Sequence, residues 1–186
     1  IGVDLKLVSL PSERSLTAAN LGEVDGEGLR VGGLGGPDGP YPNLIQVPER
    51  FVRISFVAFS KNATISLDNG WDSLKPYRIA FINGWKMFEA NALGARVVNK
   101  VDKPEQLFRM LDEGRVDLVL YTYADGLLLA RNLGLTSVAP LSPALKEVDM
   151  YLYLHKKHQA LVPKLTQAIR DIKADGSYNR ILSAIY

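Results

Sequence analysis

Two periods of apolar spacing alternate along the chain, and the places where one gives way to the other mark its elements. Residues 4–10, DLKLVSL, alternate apolar and polar side chains and predict a strand, because successive residues of an extended chain point to opposite faces. Pro11-Ser12 then opens a helix with Ser12 as its N-cap, Gly22 ends it, and residues 24–31 return as a strand. Residues 32–43, GGLGGPDGPYPN, form a loop on their glycine and proline content. Strands follow at 44–47 and 53–60. From residue 77 the order is regular: strand 77–82, helix 85–93, strand 96–100, helix 103–113, strand 116–121, helix 124–132, strand 136–139. That alternation predicts parallel strands joined by crossover helices. Residues 149–155 read as another strand. Residues 158–174 carry Leu161, Leu165, Ile169 and Ile172 at helical spacing, and after the Asp175-Gly176 stop SYNRILSAI forms a last short helix.

One pattern occurs twice. LTAANLGEVD (16–25) and LFRMLDEGRVD (107–117) both end a helix at a glycine and enter a strand at Val-Asp. A common helix-to-strand device, with glycine as the left-handed residue after the helix, accounts for this, and so do two lobes built on one α/β plan.

Composition narrows the function classes. Among 186 residues, 47% are hydrophobic, and 22 basic against 20 acidic side chains give a formal charge of +2 with no run longer than a pair such as Lys156-Lys157. Nothing in that balance calls for nucleic acid or a membrane surface. The absence of cysteine rules out disulfides, thiolate metal sites and thiol catalysis. No apolar run approaches the roughly 18 residues of a membrane span. The sequence opens at Ile1 rather than Met, which leaves room for a removed upstream segment.

The chemistry first shows in residues 78–93, RIAFINGWKMFEANAL. A short apolar strand hands over to a helix through Asn83-Gly84, and such a junction presents backbone N–H groups to an anionic group. With LPSERSLTAANLGEVDGE, YPNLIQVPE, LFRMLDEGRVDLVLY and above all ADGSYNRIL, this stretch resembles the extracytoplasmic solute-binding proteins of ABC importers, in their polar-amino-acid-type branch. The resemblance covers nearly the whole chain. It implies a two-lobe periplasmic-binding-protein-like α/β fold with a hinge, lobe 1 from residues 1–57 and 150–186 and lobe 2 from 58–149, and a ligand held in an interlobe cleft. It also implies a periplasmic or extracytoplasmic location, a membrane permease or receptor as partner, no cofactor and no catalysis.

By the same resemblance, Gly84, Trp85 and Lys86 present backbone amides, an aromatic wall and a charge to a ligand carboxylate, and Arg30 pairs with that carboxylate through its planar fork of donors. Arg14 is a further candidate of the same type, and Glu49 one that positions an arginine or an amine. Two departures stand out. Where relatives carry an aspartate for the ligand's ammonium, VDLVLYTYADG has Thr122, and Asp125 faces another way if a helix begins near Tyr123. An α-amino acid is then in doubt, while Tyr121 and Tyr123 suit a carboxylate-bearing or aromatic ligand. Relatives also begin lobe 1 with a central strand and helix that this sequence lacks, so the expected sheet has open edges, completed if the chain is a fragment of a longer one or exchanges elements in a dimer.

Two other functions share the fold: the ligand-sensing ectodomain of a membrane receptor or kinase, and a lyase acting on a cyclic carboxylate. A lyase needs a general acid or base, and His155 and His158, beside Lys156-Lys157, read as surface residues without the acidic company of a metal site. Ser60 and Ser142 lack a Gly-x-Ser-x-Gly setting, and GGLGGPDG does not lie between a strand and a helix.

Overall fold

The structure, a computed structural model, describes residues 1–10 and 12–185; of Ser12, Lys86 and Ile185 it describes the backbone alone. In chain order the elements are α1 (Ser12–Leu21), β1 (Gly26–Val31), β2 (Leu44–Gln46), β3 (Val52–Ser60), a 3-10 turn (Gly70–Leu74), β4 (Arg78–Ile82), α2 (Lys86–Asn91), β5 (Val97–Val101), α3 (Pro104–Asp112), β6 (Leu118–Thr122), α4 (Tyr123–Asn132), β7 (Ala139–Pro140), β8 (Lys146–His155), a second 3-10 turn (Lys156–Leu161), α5 (Val162–Ala174) and α6 (Ser177–Ile185). They divide into two compact units, Ile1–Arg53 with Val148–Ile185, and Ile54–Glu147. The chain leaves the first unit inside β3 and returns to it inside β8.

The second unit is a mixed sheet in the order β5-β4-β6-β3-β7. β4 runs parallel to β5 and β6, as the alternating pattern predicts, whereas β3 runs antiparallel to β6 and to β7. The period of two sorts its strands onto two cores. Ala58, Ile79, Phe81, Leu118 and Leu120 face Phe88 of α2, Ala92 just beyond its end and Leu74; Val57, Phe59, Ala80 and Val119 face Leu107, Phe108 and Leu111 of α3 with Ala130 of α4. Phe59, Phe81, Phe88 and Phe108 are fully buried, each contributing about 1.5–3 kcal/mol by removal from water.

In the first unit β8 lies between β1 and β2 and is antiparallel to both. Tyr153 of β8 ties the three together: its ring is buried with Leu16, Ala19 and Leu44, and its hydroxyl donates to the Val31 carbonyl at 2.6 Å and contacts Gln46 Oε1 at 2.9 Å.

Several expectations change. Residues 4–10 form no strand. Leu5 and Leu7 are each 85% exposed, and no ladder among the described residues reaches them, so the alternation has no sheet edge on which to act. Helix 85–93 shortens to six residues, strand 136–139 to two, and the helix expected from 158 begins at Val162 after the second 3-10 turn. The N-cap assigned to the Ser12 side chain lies outside the described residues. The repeated helix-glycine-strand pattern is a local device. Gly22, Gly114 and Gly134 all have left-handed φ (78°, 69° and 70°), and Glu23, Arg115 and Leu135 donate backward to Ala18, Met110 and Ala130 at 2.9–3.0 Å, so α4 uses it a third time.

Candidate functional site

At the carboxyl end of β4 the chain turns through Asn83-Gly84. Asn83 N–H still donates to Val101 O at 2.8 Å and belongs to the sheet, while Gly84 adopts φ 81°. Among the described residues beyond its two chain neighbours, no atom lies within 4 Å of where a Cβ would stand, so backbone conformation rather than crowding calls for glycine here. The Trp85 N–H donates to Ile82 O at 3.3 Å, closing the turn instead of pointing outward. This corrects the expectation that it joins an anion-binding set. The helix that follows is too short to add much dipole. The Lys86 side chain, assigned a charge toward the ligand, lies outside the described residues.

Trp85 is half-buried among the protein's own rings. Tyr121 stacks on it at 5.0 Å and 14°, Phe88 at 5.6 Å and 17°, and Phe56 meets it edge-on at 6.1 Å. The indole is therefore oriented by packing, at about 0.5–1.5 kcal/mol per ring pair beyond area burial. Burial, with smaller contributions from Asp125 and Glu105, raises the Tyr121 hydroxyl above its ordinary range.

β6 ends at Thr122 and α4 begins at once with Tyr123, whose ring is exposed. Thr122 is buried, and its hydroxyl donates to Asp125 Oδ2 at 2.6 Å. Asp125 therefore does not face away from Thr122. One helical turn brings it back over the end of β6, and a carboxylate stands where the resemblance offered only the hydroxyl of Thr122.

In the first unit, Arg30 is held by Glu27, with Nε at 2.8 Å and a terminal nitrogen at 2.6 Å from Oε1; Ser15 donates its hydroxyl to the other carboxylate oxygen. The Glu27 side chain is 5% exposed and that of Arg30 24%. Residues three apart on a regular strand face opposite ways. Here the register with β8 shifts between Glu27 and Arg30 and Leu29 takes φ 55°, so a bulge turns both side chains to one side. Arg14 is exposed on α1, next to Glu13, whose carboxylate accepts from the Tyr41 hydroxyl at 3.1 Å. Glu49 receives Lys173 at 2.8 Å and Arg170 at 3.1 Å and ties α5 to the segment before β3. His158 contacts Asp25 at 2.7 Å, and His155 Nδ1 accepts from the Lys157 N–H. Desolvation, then the neighbouring lysines, lowers His155 below its usual value.

The structure thus gathers Trp85, Tyr121 and Thr122 at the strand ends of the second unit and adds Phe56, Phe88 and Asp125. In the first unit it adds Glu27 to Arg30. An acid two residues into a helix and a lone acid in a glycine-rich strand were the available signals for Asp125 and Glu27.

No family model matches the sequence. An uncharacterized protein of Shewanella oneidensis is 24% identical over 182 residues, 92% of this chain, which spans about two thirds (66%) of that relative's length. Among solved structures, an amino acid ABC transporter substrate-binding protein, AbpA of Streptococcus pneumoniae bound to L-arginine, superposes with TM-score 0.68 at 14% identity, over 98% of this chain and 76% of its own. An ancestral cationic amino acid solute-binding protein gives 0.71 at 13%, over 98% and 78%. A histidine kinase sensor domain similar to periplasmic binding proteins gives 0.64 at 15%, over 92% and 74%. Identities this low speak for the fold alone, and the fold of this chain is the periplasmic-binding-protein-like fold of amino acid ABC transporter substrate-binding proteins.

Proposed function

We propose that this chain binds a small carboxylate-bearing solute, an amino acid or a related organic acid, outside the cytoplasm for ABC-type import, and that it does so without chemical turnover. The observation that carries the reading is the Thr122–Asp125 pair beside the Tyr121–Trp85 stack. A carboxylate set on a buried hydroxyl accepts an ammonium, and the adjoining rings offer apolar and cation–π surface. The amino-acid reading therefore regains the acceptor that Thr122 by itself lacks. We assign the ligand carboxylate to Arg30, whose guanidinium Glu27 and the bulge already orient.

The test is calorimetry across α-amino acids and their deaminated counterparts. The amine contact predicts that Asp125→Asn weakens amino-acid binding by about tenfold or more, as loss of a charged hydrogen bond does, and leaves the deaminated analogue unaffected. Equal binding of both ligand classes by the wild-type chain removes the amine assignment. Arg30→Lys keeps a cation beside Glu27 and loses the fork; it is expected to cost about 2 kcal/mol of affinity, and unchanged affinity would withdraw the carboxylate assignment.

The likeness to a kinase sensor domain favours one second reading, ligand sensing. Deleting the gene separates the two. Loss of labelled-solute uptake supports import, whereas intact uptake with loss of a solute-induced transcriptional response supports sensing.

A further inference from the structure

Two Asn-Gly pairs occur in the second unit, Asn69-Gly70 and Asn83-Gly84, and both asparagines are exposed. Asparagine is among the thermally labile residues, and a following glycine, with no Cβ, leaves its backbone nitrogen open to approach. The reaction such a pair invites is internal. The glycine nitrogen, its proton taken by solvent base, attacks the asparagine side-chain carbonyl carbon. A C–N bond closes a five-membered imide, and the side-chain nitrogen takes a proton from water and leaves as ammonia. A second water opens the imide at one of its two carbonyls and gives aspartate or isoaspartate. Water is the only co-reactant.

Attack requires the peptide group between the two residues to rotate until the glycine nitrogen meets the side chain, and the structure treats the two pairs differently in this respect. At 69–70 that group is held at both ends: Gly70 N–H donates to Leu67 O at 2.8 Å, and Asn69 O accepts from Asp72 N–H at 3.2 Å. The Asn69 N–H is also tied, to the Ser73 hydroxyl at 3.1 Å. At 83–84 no hydrogen bond of that peptide group is found among the described residues, and Gly84 itself is exposed. The bond that closes the turn, Trp85 N–H to Ile82 O, is long at 3.3 Å, and the Asn83 side-chain amide is steadied by Asp102 Oδ1 at 3.4 Å.

We propose that Asn83 is a modification site, converted spontaneously to aspartate and isoaspartate in the folded chain, while Asn69 is protected by its turn. The change bears on the structure around it. A carboxylate at 83 sets a like charge against Asp102 in place of a donor. Isoaspartate also adds a carbon to the main chain between β4 and Trp85, whose ring stacks on Tyr121.

The test holds the purified full chain in mildly alkaline buffer, native in one sample and unfolded in urea in another, and follows both asparagines by peptide mapping and mass spectrometry. Isoaspartate is counted by enzymatic methyl transfer. Two further hydrogen bonds to break at 69–70 are worth about tenfold or more, so Asn83 is expected to react at least that much faster than Asn69 in the native sample, with the two rates converging in urea. The modified fraction, separated by anion exchange on its added charge, is expected to unfold at lower urea than fresh protein. Equal rates in the native chain, a preference that urea leaves unchanged, or an Asn83 that stays intact while the unfolded sample converts would overturn the proposal.

Discussion

Gly126, in the first turns of α4, is where fold and candidate site meet. A Cβ built on it would stand 2.2 Å from Phe59 Cζ and 2.4 Å from Cε2, against an ordinary carbon contact of about 3.5–4.0 Å. Phe59 is fully buried and tilted against Phe108 at 5.1 Å, so the ring has no space to yield. Gly126→Ala therefore has to lift α4. Alanine favours the helix by about 1 kcal/mol, and overpacking of this severity costs about 3 kcal/mol, the upper part of its usual range. The net expectation is a loss of about 2 kcal/mol. Both tryptophans of the chain, Trp71 and Trp85, belong to the second unit, so their fluorescence reports its unfolding in urea. With a slope of about 2 kcal/mol per molar, the midpoint should fall by about 1 M. Gly94→Ala is the control: its Cβ would meet nothing nearer than Lys75 Cγ at 3.9 Å, and its midpoint should stay within about 0.25 M of wild type, the usual half kcal/mol of a surface change. A Gly126→Ala midpoint at or above wild type would show that α4 is not seated on Phe59, and the placement of Asp125 over Thr122 would go with it.

Two further outcomes follow from backbone strain and charge. Leu29 is held at φ 55°, a conformation that costs an ordinary side chain about 1–2 kcal/mol, so Leu29→Gly should raise first-unit stability by up to about 1 kcal/mol after the added chain entropy; a thermal melt showing a clear loss would contradict the bulge. Asp117 accepts from the Arg78 side chain at 2.6 and 3.1 Å and from its N–H at 2.8 Å, and Arg78 first of all holds its pKa below the ordinary 3.8. Near that value the unfolded chain binds more protons than the folded one, so the pair's contribution is present above about pH 4 and is lost as pH falls through the folded value. Asp117→Asn should therefore be less stable than wild type at neutral pH, with the gap closing below pH 4 in acid unfolding curves; a gap that persists there would exclude the ion pair as its source.

How much of this was legible follows from what each pattern needs in order to act. The β4–α2–β5–α3–β6–α4 series was readable because each strand alternates two cores and both α3 and α4 end in a glycine device, signals that lie within about ten residues. The strand expected at 4–10 had the same alternation in DLKLVSL but required a partner edge, which a period cannot supply. β7 shrank for a related reason: residues 136–139 have strand-like composition, yet only Ala139 and Pro140 reach β3.

The partners of the candidate side chains were not legible in the sequence, for one physical reason. Strand parity assigns side chains to faces on the assumption that the strand stays regular and stops where its apolar run stops. At β1 a bulge inserts one residue, so Glu27 and Arg30, opposed by parity, become an ion pair. At β6 the helix begins without an intervening residue, so the count passes from a period of two to one of 3.6 at Thr122, and Asp125 returns to the strand end instead of leaving it. Both faults in the count fall on the residues that carry the proposed contacts. A ligand group approaching a strand end meets side chains only where the regular ladder has been broken to release them, so the positions that defeat a periodic reading are the ones from which binding residues are drawn.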